Sequence, residues 1–149
     1  MSDARTLSPA QRPALLAAWL LAGAGTLPFL AGAADAMLRH GEWLGAVQIY
    51  GAVIASFVCG IHWGAALFAA EGLALRLFLM SNITALLGWV AALLPVGPGF
   101  LLLAVLFAAL LLVDRHLWRA GLWPLWFWRL RCVITAVVAG ACLLIGAVA

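Results

Sequence analysis

Apolar residues fill this chain in long runs, and the polar residues that separate them are few. The runs lie over residues 14–38, 45–70, 77–94, 100–113 and 131–148. A helix that crosses a hydrocarbon core of ~30 Å needs about 20 such residues. In lipid the backbone must satisfy its own hydrogen bonds, which leaves helices or closed barrels. The pattern therefore predicts an all-α protein, an integral membrane bundle of five transmembrane helices. They form one domain over 14–149, preceded by a short polar tail over 1–13 that contains Asp3, Arg5 and Arg12. Pro13 suits a first helical turn, where its missing N–H costs nothing. Residues 95–99 hold two prolines and two glycines without a charge, which predicts a tight hairpin turn between the third and fourth spans. The fourth span is short for a bilayer and must extend into its flanks or thin the membrane locally. Ala31-Gly32-Ala33 offers a competing reading as a signal-peptidase site. The apolar stretch before it is too long for a usual leader, and Gly23, Gly25 and Pro28 interrupt it.

Composition strengthens the membrane reading. Of 149 residues, 68% are hydrophobic and 9% charged, where a soluble domain carries about 25% charged residues. The net charge of +3 comes entirely from arginine against five acids. The arginines flank apolar runs rather than forming a solvated basic patch, so they point to anionic lipid and not to nucleic acid. Cys59, Cys132 and Cys142 all fall inside apolar runs with no C-x-x-C spacing and read as small hydrophobes. No cofactor or metal is implied.

Arginine placement predicts the orientation. One side of a five-span chain carries Arg5, Arg12, Arg76, Arg115, Arg119, Arg129 and Arg131; the other carries Arg39. The N-terminus is expected inside and the C-terminus outside, in the bacterial cytoplasmic (inner) membrane as a multi-pass protein. Trp118, Trp123, Trp126 and Trp128 cluster in the inner loop between the last two spans, while Trp43 sits at the outer edge. Indoles favour the headgroup region, so residues 115–129 are expected along the inner surface as an interfacial anchor. A sharper reading makes that stretch a docking face for a lipid or partner protein.

Two spans carry patterned faces. In the second, Ala52, Ser56, Gly60 and Gly64 recur every four residues, a small-residue ridge that admits another helix closely. His62 points away from that ridge and should face protein rather than lipid. In the first, Gly23, Gly25 and Pro28 predict tight packing with a kink at the proline. Gly25, Pro28, Gly32 and Asp35 share one side, and Asp35 pairs with Arg39 at i+4. At one depth the spans collect their few polar groups: His62, Ser81, Asn82, Asp114, Arg131 and Thr135. This inner-leaflet layer is the main functional clue. It is compatible with a pocket for a proton, a quinone-like molecule or a lipid headgroup. The competing reading is structural: His62 with Asn82, and Asp114 with Arg115 or Arg131, pin the bundle together because nothing else in a bilayer can satisfy them. One histidine does not make a zinc site.

There is no Walker loop, G-x-G-x-x-G, H-E-x-x-H or G-x-S-x-G, so no catalytic residue is assigned and enzyme activity is not expected. Several short motifs run in order along the chain: Gly23-x-Gly25-x-x-Pro28-Phe29, Ser56-Phe57-x-x-Gly60-x-His62-Trp63-Gly64, Ser81-Asn82, Trp89, Asp114 and Trp126-Phe127-x-x-Leu130-Arg131-x-x-x-Thr135. In these the chain resembles the transmembrane protein 69-like family, domain of unknown function 3429. The resemblance implies a bacterial inner-membrane protein with mitochondrial relatives and no assigned activity. Tryptophan-rich sensory proteins share the span count and the tryptophans, but their Trp/Pro-rich first loop has no counterpart here. The function expected from sequence is a non-enzymatic scaffold, assembly factor or accessory subunit, whose partner is a membrane protein or a second copy. The alternative is a small oligomeric transporter or channel, or a binding module for a hydrophobic ligand.

Overall fold

The computed structural model describes residues 12–149. Those residues are helical throughout apart from short turns: α1 (Arg12–Ala24), α2 (Leu27–Met37), α3 (Leu44–Ala66), α4 (Glu71–Leu93), α5 (Val96–Arg119) and α6 (Leu125–Val148). Residues 1–11 of the expected polar tail lie outside the described residues, and Arg12 and Pro13 open α1. The α1–α2 stretch and each of the other four helices are long and apolar enough to cross a membrane.

The first span is two helices rather than one. It breaks at Gly25-Thr26, three residues before Pro28 takes the second position of α2. Pro28 has no N–H to close the preceding turn, so the break must satisfy its own backbone. Thr26 turns its hydroxyl back to the Gly23 carbonyl at 2.8 Å, and the Tyr50 hydroxyl of α3 donates to the Gly25 carbonyl at 3.0 Å.

Helix α3 stops at Ala66, short of the run to 70, whereas α4, α5 and α6 run longer than the apolar runs that announce them. The turn expected over 95–99 shrinks to the Leu94–Pro95 corner, and Gly97, Pro98 and Gly99 become the first turn of α5. Proline is tolerated there because first-turn N–H groups have no helical acceptor. At the other end α5 passes through Asp114 to Arg119, and α6 begins at Leu125, six residues before Arg131. Residues 115–129 are therefore two helix ends and a five-residue corner, not one stretch lying along a surface.

Helices α3 and α4 form one close antiparallel pair and α5 and α6 another; α2 packs on α6 and α3, and α3 also touches α5. The core lies between them, with Phe29, Phe100, Leu103, Leu110 and Ile145 excluded from solvent. Phe29 packs edge-on against Phe107 of α5. Helix α1 stands apart: it buries no residue and rests mainly on α6.

Of the glycines expected at close contacts, Gly32 packs on Val47 of α3, where a Cβ would stand 3.1 Å from the valine side chain, and Gly25 lies against Tyr50; the tightest approaches are at other glycines. A Cβ on Gly146 would meet Leu101 at 2.7 Å, one on Gly51 would meet Leu103 at 2.7 Å, and one on Gly99 would meet the Ala91 carbonyl at 2.6 Å. A Cβ on Gly23, Gly60 or Gly64 would meet nothing within 4 Å among the described residues, and Ser56 and Gly60 are exposed. Of the expected ridge on α3, Ala52 is buried within the bundle, whereas Ser56 and Gly60 face outward.

Candidate functional site

The polar centre of the molecule is built around Asp114, one and a half turns from the end of α5. The span is the most apolar of the five, with a mean hydropathy of 2.7, yet this carboxylate is 1% exposed. It is held by donors from three other places in the chain. His62 Nε2 of α3 lies 2.8 Å from Oδ1, and the Trp123 indole N–H, from the corner before α6, donates to the same oxygen at 3.1 Å. Arg131 Nε of α6 donates to Oδ2 at 2.6 Å. A carboxylate whose two oxygens both accept is an acceptor only. Nε2 of His62 therefore carries the hydrogen that points to Asp114, and Nδ1 is buried without a partner among the described residues.

The sequence places these residues by simple rules. His62 and Ala66, one turn apart, lie with Cys59 on the buried stripe of α3. Arg131 and Thr135, also one turn apart, lie on the buried stripe of α6. A buried charge in hydrocarbon is tolerated only when paired, and the α5–α6 hairpin brings opposite charges to one level.

Of the polar layer expected from sequence, the structure brings together His62, Asp114 and Arg131. Ser81 is buried, but its hydroxyl turns back to the Leu77 carbonyl at 2.7 Å. Asn82 does not meet His62; it is exposed, and its amide donates to the Phe78 carbonyl at 2.8 Å. Thr84 likewise bonds to the Met80 carbonyl. Helix α4 thus satisfies its polar side chains on its own backbone. Thr135 is buried without a hydrogen bond among the described residues, as are His62 Nδ1 and Arg131 Nη2. Arg115 is exposed and takes no part, and among the described residues Asp35 makes no ion pair with Arg39: it accepts from the Trp43 N–H at 3.2 Å.

Trp123 enters the centre through its N–H and packs edge-on against Phe127; Trp118, Trp126 and Trp128 also pack on aromatic neighbours. Trp118 and Trp128 stack at 5.4 Å across the corner, and Trp126 meets Phe127 edge-on. Sequence reasoning missed two further contributors. Trp123 stands between Gly121 and Pro124, a corner that fixes its direction. Gln48 is buried at the opposite end of the bundle, where its amide donates to the Ala91 and Leu94 carbonyls at 2.6 and 2.9 Å. Those carbonyls belong to the last turn of α4, which has no helical donors of its own. A glutamine inside an apolar run was the signal for it.

Beside the centre a cleft of about 370 Å³ opens between α1, α3 and α6. Leu21 and Ala22 form one wall, Phe57 and Ile61 another, and Phe127 and Arg131 a third. Leu21 and Phe57 at its mouth are 74% and 68% exposed. Arg131 is the charged residue in its lining, and its side chain is 9% exposed.

Fold and site together define a small multi-pass helical membrane protein with a buried ionic cluster and a side cleft. The chain belongs to the DUF3429 family, proteins of unknown function, whose family model matches residues 15–148. No curated protein and no solved structure matches it.

Proposed function

We propose that this protein is a non-enzymatic binding module of the bacterial cytoplasmic membrane that holds an amphiphilic small molecule in the α1–α3–α6 cleft. The observation that carries this reading is the placement of Arg131. Its guanidinium is fixed by Asp114 on one side and borders an otherwise apolar cleft on the other. Pockets between bundle helices, mostly apolar with one oriented polar group, are typical ligand sites. The arginine bias supports an orientation with the Asp114 end on the cytoplasmic side, so the ligand's head lies in the inner leaflet.

A second reading keeps the scaffold or accessory role, and one observation favours it. The ridge Ser56-Gly60-Gly64 on α3 has no neighbour among the described residues within 4 Å of a Cβ placed at either glycine. Small residues at four-residue spacing facing lipid allow a helix of another chain, or of a second copy, to approach closely.

Native mass spectrometry of the protein, extracted gently from its own membranes, separates the two. A small-molecule adduct on the wild type that is lost in Ala22→Phe is the expected result. A protein partner at fixed stoichiometry that is lost in Gly60→Leu, with no adduct, overturns the binding-module reading in favour of the scaffold.

A further inference from the structure

The corner between α5 and α6 carries charge that the buried cluster does not use. Asp114 is the one acid in the chain after Glu71, and Arg131 and His62 already engage it. Arg115, Arg119 and Arg129 stand around that corner, all three exposed. Among the described residues none of them makes an ion pair. Glu71, which opens α4 at the same end of the bundle, makes none either.

Helix geometry puts the three arginines on one face. At about 100° per residue, Trp118 lies ~40° round α5 from Asp114, and Arg115 and Arg119 lie ~100° and ~140° round in the same sense. On α6, Trp128 lies ~60° round from Arg131 and Arg129 ~160°, again in that sense. The helices run antiparallel, so equal senses turn toward the same side of the hairpin. The Asp114–Arg131 pair marks the inner side, at 2.6 Å. The Trp118–Trp128 stack, with centroids 5.4 Å apart and planes within 7° of parallel, marks the seam. The arginines lie beyond that seam, turned away from the core.

Depth and chemistry name the occupant. These residues end two membrane-crossing helices beside paired indoles, which favour the headgroup level. A guanidinium fork matches phosphate oxygens with two donors at once. Arg115 and Arg119, one turn apart, suit one phosphate; Arg129, across the seam, suits a second. Leu112, three residues before Arg115, and Val133, one turn after Arg129, continue the same face into the span. Both are exposed, at 64% and 50%, and make an apolar bed directly below the charges. A free anion has no use for that bed, whereas a lipid has chains to lay on it. Basic sites between helices at a membrane surface take headgroups of this kind.

We infer that this face binds an anionic phospholipid with two phosphates, one held by Arg115 and Arg119 and the other by Arg129, its chains lying over Leu112 and Val133. None of these five residues lines the α1–α3–α6 cleft. The site therefore stands whatever the cleft holds.

The test is a titration of the purified, delipidated full chain, read by native mass spectrometry. The probes are diphosphatidylglycerol, phosphatidylglycerol and phosphatidylcholine of matched chains, with inorganic phosphate as a competitor. The proteins are wild type, Arg119→Gln, the triple variant Arg115→Gln with Arg119→Gln and Arg129→Gln, and two controls. Arg39→Gln removes a charge at the opposite end of the bundle, and Ala22→Phe narrows the cleft.

One arginine near an anionic headgroup gives about a fivefold preference, and three give about a hundredfold. Diphosphatidylglycerol is expected to bind the wild type more tightly than phosphatidylcholine by about that larger factor, with phosphatidylglycerol between them. Arg119→Gln should cut the preference about fivefold and the triple variant should abolish it. Both controls should keep it. The three side chains are exposed and unpaired, so melting in lipid-free micelles should not change; Arg119→Gln alone carries the test if the triple variant does not fold. Equal binding of the three lipids, or a preference that survives the arginine variants, overturns the site. Displacement of the lipid by inorganic phosphate at equal concentration makes it a free-anion site and overturns the lipid. Loss of the preference in Ala22→Phe moves the lipid into the cleft. A protein partner lost in the triple variant, with no lipid preference, overturns the proposal in favour of an acidic protein surface.

Discussion

Asp114 accepts from α3, from the corner before α6 and from α6 itself, so its removal reaches three segments at once. The largest cost is electrostatic. Without the carboxylate, Arg131 is a cation buried in an apolar bundle, a situation that typically costs about 3–5 kcal/mol. Asp114→Ala should destabilise the protein by roughly that amount, whereas Asp114→Asn with Arg131→Met should cost clearly less than the single change. Reversible unfolding in mixed micelles measures both. A double variant as unstable as Asp114→Ala would mean that packing, not charge, dominates the site. The residues of this cluster were legible as chemistry, and Arg131 was one of two partners the sequence offered Asp114, but the place of His62 beside that carboxylate was not legible. Polar groups in apolar runs identify His62, Asp114 and Arg131, and depth places them at one level. Which of them touch depends on the rotation of each helix about its axis. The sequence pattern constrains that rotation only within a helix, so His62 was matched to Asn82, whose amide bonds its own helix instead.

The helices illustrate a related ambiguity. A charged residue normally marks the end of a span, and that rule stops the fourth at 113 and starts the fifth at 131. Both helices continue past their charge because each neutralises the other. Small residues carry the same double meaning. Spacing of four shows that a helix can be approached but not by whom, and Ser56 and Gly60 of α3 look outward while Gly146 presses on Leu101. Gly146→Leu should therefore overpack the α5–α6 contact and cost about 1–3 kcal/mol. Gly60→Leu, facing outward, should shift stability of the isolated chain by about 0.5 kcal/mol or less. Parallel thermal melts compare the two. Equal losses would place Gly60 inside a contact that the single chain does not form.

At the scale of the molecule, five crossings put the Arg12 end and the Val148 end on opposite faces of the bilayer. The span count and helical class were readable from hydropathy alone, since lipid leaves the backbone few other choices. Which helices neighbour one another was not, because lipid-facing and protein-facing positions are equally apolar. Arginine placement predicts that the α5–α6 corner lies inside. In a cysteine-free background, Ala120→Cys should resist a membrane-impermeant maleimide added to intact cells, and His40→Cys should react. Both positions are exposed, so the reverse pattern would turn the protein over.

The pairing of Asp114 with Arg131 also bears on how the chain enters its membrane. A lone aspartate or arginine at a span's centre opposes insertion by about 2.5–3.5 kcal/mol. Here the two charges sit seventeen residues apart in sequence, on consecutive helices joined by one corner. The last two spans can leave the insertion machinery together as a hairpin already discharged, with no charge left waiting for a distant segment. His62, delivered earlier on α3 without need of a charge, then completes a contact whose expensive half was settled during synthesis.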